Sequence, residues 1–431
     1  MVDTTSLFDE LAWRGLLHDS TEGAADALRS GSLTAYCGFD PTAPSLHVGN
    51  LVPVMLLVHL QRAGHRPIAL VGGGTGMIGD PSGKAGEREL SSPAIVAANT
   101  ASIGAQLSRF LDFDGPHAAT LVDNAAWLLA LGAVEFMRDV GKHFTINFML
   151  AKDSVKSRMD TGISYTEFSY MLLQAYDFLE LYRREGVTMQ VGGSDQWGNM
   201  TAGMELIRRS TGGSAHVLTA PLITTASGAK FGKSEAGAVY IDPERTSPYQ
   251  FYQFWINADD RDVGRYLRFF TLLPRAEIES LDGETAEHPE RRGAQQRLAF
   301  DITARVHGEA QATVAREISA LLFGGGDPAA LSAAAVEALR REIPFAEVDA
   351  GPVEGAPEAI ADVTALLAEV GLASSRGDAK KLLKQGGVSV NGARRGESER
   401  GVQRADLLPG GYVLLRKGAK SYGLVRIQGA G

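Results

Sequence analysis

Two lysines three residues apart, Lys230 and Lys233, stand in the short segment Lys230-Phe231-Gly232-Lys233-Ser234. Ammonium groups on flexible stems can follow charge as it develops on a departing phosphate, and stabilising developing charge is usually the largest catalytic term. A second segment, YCGFDPTAPSLHVGN from Tyr36 to Asn50, leads to His47 at the start of a long apolar run. A strand end, a turn and a helix start bring backbone N–H groups and a positive dipole end to one spot. There His47 can donate to a phosphate oxygen, and Gly49, with no side chain, lets a flat ligand such as a nucleotide base approach the backbone. In a third segment Tyr170, Gln174 and Asp177 lie at i, i+4 and i+7 and share one helix face. Their neighbours Phe168, Met171, Leu172, Ala175, Phe178 and Leu179 are apolar, so the polar groups sit on a mostly buried helix and need partners. A pocket for a zwitterion with a polar tip meets that need. Alone, the three segments read as a cap, a solvated lysine loop and structural hydrogen bonds; their value lies in occurring together.

The elements that must position them follow from the local pattern. Leu33 to Phe39 reads as a strand, Asp40-Pro41-Thr42-Ala43-Pro44 as a breaker, and LHVGNLVPVMLLVHLQRAG as a helix ended by Gly64. A second strand, Ile68 to Val71, opens into Gly72-Gly73-Gly74-Thr75-Gly76. Ser164 and Glu167 form a capping-box pattern that starts a helix from Tyr165 to Glu185, and Val187 to Val191 reads as the next strand. Repeated strand–helix–strand units predict an α/β fold, a Rossmann-like parallel sheet with helices on both faces, whose ligands bind beyond the carboxyl ends of the strands. The glycine loop lacks the G-x-G-x-x-G spacing, and in GDPSGKA only three residues separate the glycines, with Ala85 where a P-loop needs Ser or Thr. Its expected role is close backbone approach to the substrate, with Lys84 on a mobile arm.

A chain of 431 residues, 44% of them apolar, suggests two or three domains with a sizeable core. No run of about 18 apolar residues predicts a membrane span, and no secretory signal is visible at MVDTTSLFDELAWRG; the expectation is a soluble, cytoplasmic protein. Cys37 is the single cysteine, which excludes an internal disulfide and a multi-thiolate metal site. The net charge of -9 hides an asymmetry: from Gly371 to Gly431 twelve Lys/Arg face four Asp/Glu, so the rest carries thirty against forty-seven. A compact basic tail on an acidic body points to a phosphate-bearing partner at that end. The expected organisation is a catalytic domain over 1–240, an α-helical domain over 241–325, a Gly/Pro/Ala-rich linker over 326–357, and a small basic α+β module over 358–431. In that last module a basic helix, Arg376 to Gln385, precedes the strand Val388 to Val390 and the hairpin signal Asn391-Gly392.

The segment around His47 resembles the class I aminoacyl-tRNA synthetases, whose HIGH signature falls on His47-Val48-Gly49-Asn50, with Asn at the last position; Lys230 to Ser234 resembles their KMSKS loop. The resemblance narrows to the bacterial tyrosyl-tRNA synthetases through GFDPTAPSLHVGNL, GHRPIALVGGGTGMIGDPSGK, VGKHFTINFMLAK, EFSYMLLQAYDFL, VGGSDQWGN and SPYQFYQFWIN, and covers nearly the whole chain. It implies that Tyr36 and Asp177 bind a substrate phenol, and that Asp80, Tyr170 and Gln174 hold its ammonium group with Gln190 nearby. Gly38, Asp40, Gly49, Asn50, Gly193, Asp195, Gln196 and Lys233 would line ATP or the adenylate, with Asp195 on the ribose. Thr42 and His47 would meet the γ-phosphate, and Lys84, Arg88, Lys230, Lys233 and Ser234 the pyrophosphate. SRGDAKKLLKQGGVSVNG resembles a small RNA-binding fold shared with a ribosomal small-subunit protein, and Arg376, Lys380, Lys381 and Lys384 would be its phosphate contacts.

The implied activity joins L-tyrosine to ATP, with Mg2+ accompanying ATP and no protein-bound metal, and then to tRNA(Tyr). The implied assembly is a homodimer, with no membrane partner. Two other readings share these motifs. A tryptophan-specific sister enzyme is disfavoured by Tyr36 with Asp177, which suit a substrate hydroxyl. A non-catalytic RNA-binding relative is disfavoured by the presence of His47, Lys230 and Lys233.

Overall fold

The computed structural model describes residues 6–82, 90–156, 158–159, 162–228, 231–234 and 237–429, with the backbone alone at 153–154 and 233–234. They form two compact units, Met1–Thr246 with Ile256–Leu298, and Ser247–Trp255 with Ala299–Gly431. The helical stretch expected as one domain over 241–325 is thus divided between the two units.

The first unit is built on six strands, β1 (Asp19–Ser20), β2 (Thr34–Phe39), β3 (Arg66–Val71), β4 (Thr120–Asp123), β5 (Val187–Gly193) and β6 (His216–Ala220). Their order is β1-β6-β5-β2-β3-β4, parallel throughout except for the short edge strand β1. The chain leaves β2 towards β3 and β4, then returns to the other side of β2 with β5 and β6. The topological switch point therefore lies between β2 and β5, where an open α/β sheet has its ligand crevice. The inner strands are nearly continuous apolar runs because both faces are covered.

Tyr36, Ile68 and Leu70 pack into one core with helices α2 (Tyr165–Glu185) and α3 (Trp197–Thr211). Helix α1 (Leu51–Arg62) packs on β2, β3 and β5 outside that core, on the other face of the sheet. Helix α2 starts where Ser164 Oγ accepts from the Glu167 amide at 3.2 Å, and stops at Gly186 with φ 64°. Glu167 forms an ion pair with Arg158 at 2.9 Å, both side chains buried. Helix α4 (Asp260–Phe270) also belongs to this unit.

After the hairpin β7 (Lys233–Ser234) and β8 (Gly237–Ala238), the second unit holds β9 (Phe345–Asp349), β10 (Ala361–Asp362), β11 (Val388–Val390), β12 (Ala393–Arg394), β13 (Gly401–Val402), β14 (Tyr412–Lys417) and β15 (Ser421–Gln428). Five of these form a sheet of order β12-β11-β14-β15-β9. Strand alternation serves two cores at once. Val413, Leu415, Val425 and Ile427 pack on helices α7 (Val363–Glu369) and α8 (Arg376–Lys384). Tyr412, Leu414 and Leu424 pack with Ile318, Leu321, Val336 and Leu339 from α5 (Glu309–Phe323) and α6 (Ala333–Leu339). Each such buried side chain contributes about 1.5–3 kcal/mol.

The segment expected to be a linker is part of this architecture. It carries α6, and its strand β9 pairs in parallel with β15 from Phe345 to Asp349. Gly and Pro mark its turns, while the apolar residues between them complete a sheet begun far away in sequence.

Candidate active site

A chain of buried polar groups crosses the switch point. Tyr170 Oη donates to Asp40 Oδ2 and Thr75 Oγ1 to Asp40 Oδ1, each at 2.7 Å. Asn124 Nδ2 lies 3.0 Å from Thr75 Oγ1 and 2.8 Å from Asp177 Oδ2, donating to both. Trp127 Nε1 donates to Asp177 Oδ1 at 2.7 Å. Asn124 is itself held, its Oδ1 accepting from the Gly74 amide at 2.7 Å. The end of β2, the glycine loop after β3, the end of β4 and the middle of α2 are thereby tied together.

Sequence reasoning missed Thr75, Asn124 and Trp127. Their signal was available: Asp123-Asn124 sits at the carboxyl end of β4, where a parallel sheet presents its ligand groups.

Asp177 is buried, and burial pushes its carboxyl up to about 8. The hydrogen bonds from Asn124 and Trp127 pull the other way, and the nearby Asp40 and Asp123 add to the rise. Tyr36 stands on β2 beside Gln190 of β5, with its ring edge-on to Phe178 at 5.2 Å. Burial, then the charge of Asp177, holds the Tyr36 hydroxyl well above the usual tyrosine range, so the two groups are electrostatic neighbours. Tyr36 Oη, Gln174 Oε1 and Gln190 Oε1 are buried with no hydrogen-bond partner among the described residues. Buried polar atoms are nearly always paired, so three orphans on β2, α2 and β5, one of them the electrostatic neighbour of Asp177, mark a place where a polar ligand completes the bonding.

Beside this pocket Asp80 accepts from Gln196 Nε2 at 2.7 Å and from the Ser82 amide at 2.9 Å. Gln196, expected along the adenylate, bonds Asp80, while Gln190, expected near the ammonium group, stands beside Tyr36. Strand pairing decides this, because Gln190 is in β5 while Gln196 lies in the turn after it. Asp195 is held above its ordinary value by burial. A Cβ on Gly193 would lie 2.6 Å from Asp195 Oδ1 and 3.6 Å from Leu222, an exposed apolar side chain at 61% that sequence reasoning also missed. Gly38 is exposed in the middle of the sheet, with nothing nearer its Cβ position than Leu70 at 3.7 Å.

At the segment expected to meet phosphate, His47 Nδ1 accepts from the Gly49 amide at 3.0 Å, which leaves the ring proton on Nε2, a donor on an exposed side chain. Asn50 Oδ1 accepts from the His47 amide at 3.0 Å, so Asn50 holds the histidine turn. The space that Gly49 provides is taken by the His47 ring, 2.8 Å from where a Cβ would stand. Likewise Gly72 makes room for Asp40 and Thr75, and Gly73 for Asp123, whose nearest oxygen would lie 2.3 Å from a Cβ. The expected close approach at these glycines is made by the protein's own polar side chains. Thr42 is exposed, its amide donating to the Asp40 carbonyl at 2.8 Å.

The segment around Gly232 is joined to the His47 turn through backbone. Val48 donates to the Val239 carbonyl and Val239 to the Gly232 carbonyl, both at 3.0 Å. Gly232, at φ 80°, lies so close to Val48 that a Cβ would be 2.9 Å from its methyl. Lys84, Arg88 and Lys230 lie outside the described residues, as do the side chains of Lys233 and Ser234. No Ser–His or Cys–His couple stands at this crevice among the described residues. Cys37 is buried in β2, its thiol pushed up to about 12 by burial. The arrangement orients reactants and holds charge.

In the second unit Arg376, Lys380 and Lys381 are exposed on α8 and make no salt bridge among the described residues, whereas Lys384 lies 3.4 Å from Glu397. Sequence reasoning missed Arg394, Arg416 and Lys417. Strand register puts Arg394, Ser389 and Arg416 in one transverse row, and Lys417 Nζ donates to the Leu372 carbonyl just ahead of α8.

Residues 28–324 match the family model of class I tRNA synthetases (W and Y), and residues 341–425 that of the tyrosine--tRNA ligase SYY-like C-terminal domain. The chain is 54% identical to the tyrosine--tRNA ligase of Anaeromyxobacter dehalogenans over 98% of this chain and all of that one, and 53% identical to that of Roseiflexus castenholzii over the same shares. A solved structure of a C-terminally truncated Aspergillus nidulans mitochondrial tyrosyl-tRNA synthetase is similar at TM-score 0.67 and 32% identity, covering 74% of this chain and 94% of that one. With both of its parts matched and relatives this similar over their whole length, the chain belongs to the tyrosine--tRNA ligases, a family of class I aminoacyl-tRNA synthetases.

Proposed function

We propose that this protein activates L-tyrosine with ATP and transfers it to the 3′-terminal adenosine of tRNA(Tyr). The observation that carries the reading is the buried Asp177 carboxyl beside three unpartnered buried polar atoms, on Tyr36, Gln174 and Gln190. A phenol hydroxyl that donates to Asp177 and accepts from Tyr36 pairs both of those groups, and the substrate ammonium donates to Gln174; phenylalanine leaves Tyr36 and Asp177 unpaired, which is costly. Asp80, Tyr170 and Gln174 hold the substrate ammonium, and Gln196, bonded to Asp80, completes that cage in place of Gln190. The exposed Leu222 beside Gly193 supplies an apolar platform for the adenine, with Asp195 on the ribose.

The tyrosine carboxylate attacks the α-phosphorus of ATP in line, forming the acyl–phosphate bond as the bond to pyrophosphate breaks. His47 Nε2–H and Thr42 meet the γ-phosphate, and Lys84, Arg88, Lys230, Lys233 and Ser234 neutralise the leaving group. Mg2+ enters with ATP as part of the substrate. A ribose hydroxyl of the tRNA end then attacks the acyl carbon, and AMP leaves. Arg376, Lys380 and Lys381, joined by Arg394, Arg416 and Lys417, bind the phosphates of the tRNA. The working form is a cytoplasmic homodimer. Among the described residues no helix is long and apolar enough to cross a membrane.

The test is amino-acid-dependent ATP–pyrophosphate exchange with tyrosine, tryptophan and phenylalanine. Exchange is expected with tyrosine alone, and Asp177→Ala should reduce it at least about a hundredfold while ATP binding persists. Equal exchange with tryptophan, or an unchanged rate in that variant, would sink the pocket assignment.

A further inference from the structure

The phosphate segment is seated on one helix by two separate contacts, and both fall on the same stripe of that helix. Asp262, Tyr266 and Phe270 of α4 are spaced at i, i+4 and i+8, and all three are buried. Asp262 Oδ2 accepts from the Ala226 amide at 2.8 Å, and Arg265, which donates to Asp262 Oδ1 at 2.7 Å, also donates to the Thr224 carbonyl. This ties the stretch ahead of the segment. Within the segment itself Phe231 is buried, its ring stacked on Phe270 at 5.6 Å with an interplanar angle of 11° and tilted against Tyr266 at 5.2 Å. On its far side Gly232 is pinned between Val48 and Val239.

A phenylalanine between two catalytic lysines is unexplained by phosphate chemistry, since an apolar ring has nothing to offer pyrophosphate. Its burial in an aromatic slot of a helix outside the sheet gives it a mechanical role. We infer that Phe231 is a positioning residue: seated between Tyr266 and Phe270, it fixes by chain connectivity where Lys233 and Ser234 meet the leaving pyrophosphate, and α4 is the seat. This rests on the reading of those residues as pyrophosphate contacts. Offset and edge-on aromatic contacts hold a ring in place with defined geometry, and a small misplacement of a charge-stabilising group costs rate without touching the distant tyrosine pocket.

The experiment uses the full-length enzyme and follows single-turnover formation of tyrosyl-adenylate together with equilibrium binding of tyrosine. Phe231→Ala should slow adenylate formation by about tenfold or more and leave tyrosine binding within about twofold. Phe231→Leu, which keeps an apolar plug, should recover most of the rate. Tyr266→Ala, remote from the phosphates, should reproduce the slow step, and combining it with Phe231→Ala should add little, because one seat is lost only once. A wild-type rate in Phe231→Ala overturns the inference. So does equal loss of tyrosine binding and rate, which would make the ring a general packing group. Lys233→Ala separates this inference from the reading beneath it. If Lys233→Ala is also fast, the pyrophosphate assignment fails. If Lys233→Ala is slow while Phe231→Ala is fast, the seat alone fails.

Discussion

The ionisation of Asp177 is set by two opposed effects at single-residue range. Burial raises its carboxyl to about 8, and the donors Asn124 and Trp127 restrain that rise. A carboxyl whose folded value lies above its unfolded one favours the folded state most below the unfolded value of 3.8, and that contribution is lost as pH rises towards about 8. Binding runs in the opposite direction if the ionised carboxylate accepts the phenol proton: tyrosine affinity should rise with pH up to about 8. Asn124→Ala removes a restraining donor, so the midpoint of that profile should move upward. Preference for tyrosine over phenylalanine should fall by about tenfold, the worth of a hydrogen bond to a charged group. Tyrosine binding followed against pH in both proteins checks this, and an unmoved midpoint contradicts it. Tyr170, Gln174 and Asp177 were legible from spacing alone, because a helix repeats every 3.6 residues. Asn124 and Trp127 were not, since nothing local says that the end of β4 comes to rest against the middle of α2.

Elements explain where the glycines and the basic residues act. Gly72 and Gly73 look like substrate cradles in the sequence, yet their missing side chains make room for Asp40, Thr75 and Asp123. A glycine reports that something approaches closely, and not what approaches. In the second unit, the helix α8 was legible as a basic stripe, whereas Arg394 and Arg416 become neighbours only through the register of β12, β11 and β14. Replacing Lys381, Arg416 and Lys417 together by Ala should weaken tRNA charging by at least about tenfold and lower its salt dependence, with ATP–pyrophosphate exchange unchanged. Charging at the normal rate and salt dependence would remove these residues from the RNA surface. A truncation meant to isolate the catalytic part belongs ahead of β9, because a cut at Pro357 leaves that strand without its partner β15.

At the scale of the molecule, the described residues of the first unit include a short helix that turns apolar side chains outward. The helix Ala133–Asp139 buries none of its residues, although Val134 and Met137 share a face and are 78% and 57% exposed. Leu129, Ile146 and Tyr165 nearby in sequence are exposed as well. Single exposed apolar residues are ordinary, but a run of them is typical of a protein–protein surface, and it supports the proposed homodimer. Val134→Lys with Met137→Glu should shift the protein to monomer in sedimentation velocity; a persistent dimer would place the interface elsewhere.

By itself the sequence determined the local chemistry: the helix and strand periods, the HVGN and KFGKS segments, the polar triplet on α2 and the basic tail, all readable because each is written within about twenty residues. The tertiary structure alone decided which of these meet. The switch point between β2 and β5, the bonding of Asn124 to Asp177, the return of β9 to a distant sheet and the seating of Phe231 on α4 all join residues far apart in the chain. Contacts of that kind depend on how whole layers pack to bury their apolar faces, and no local pattern encodes the outcome.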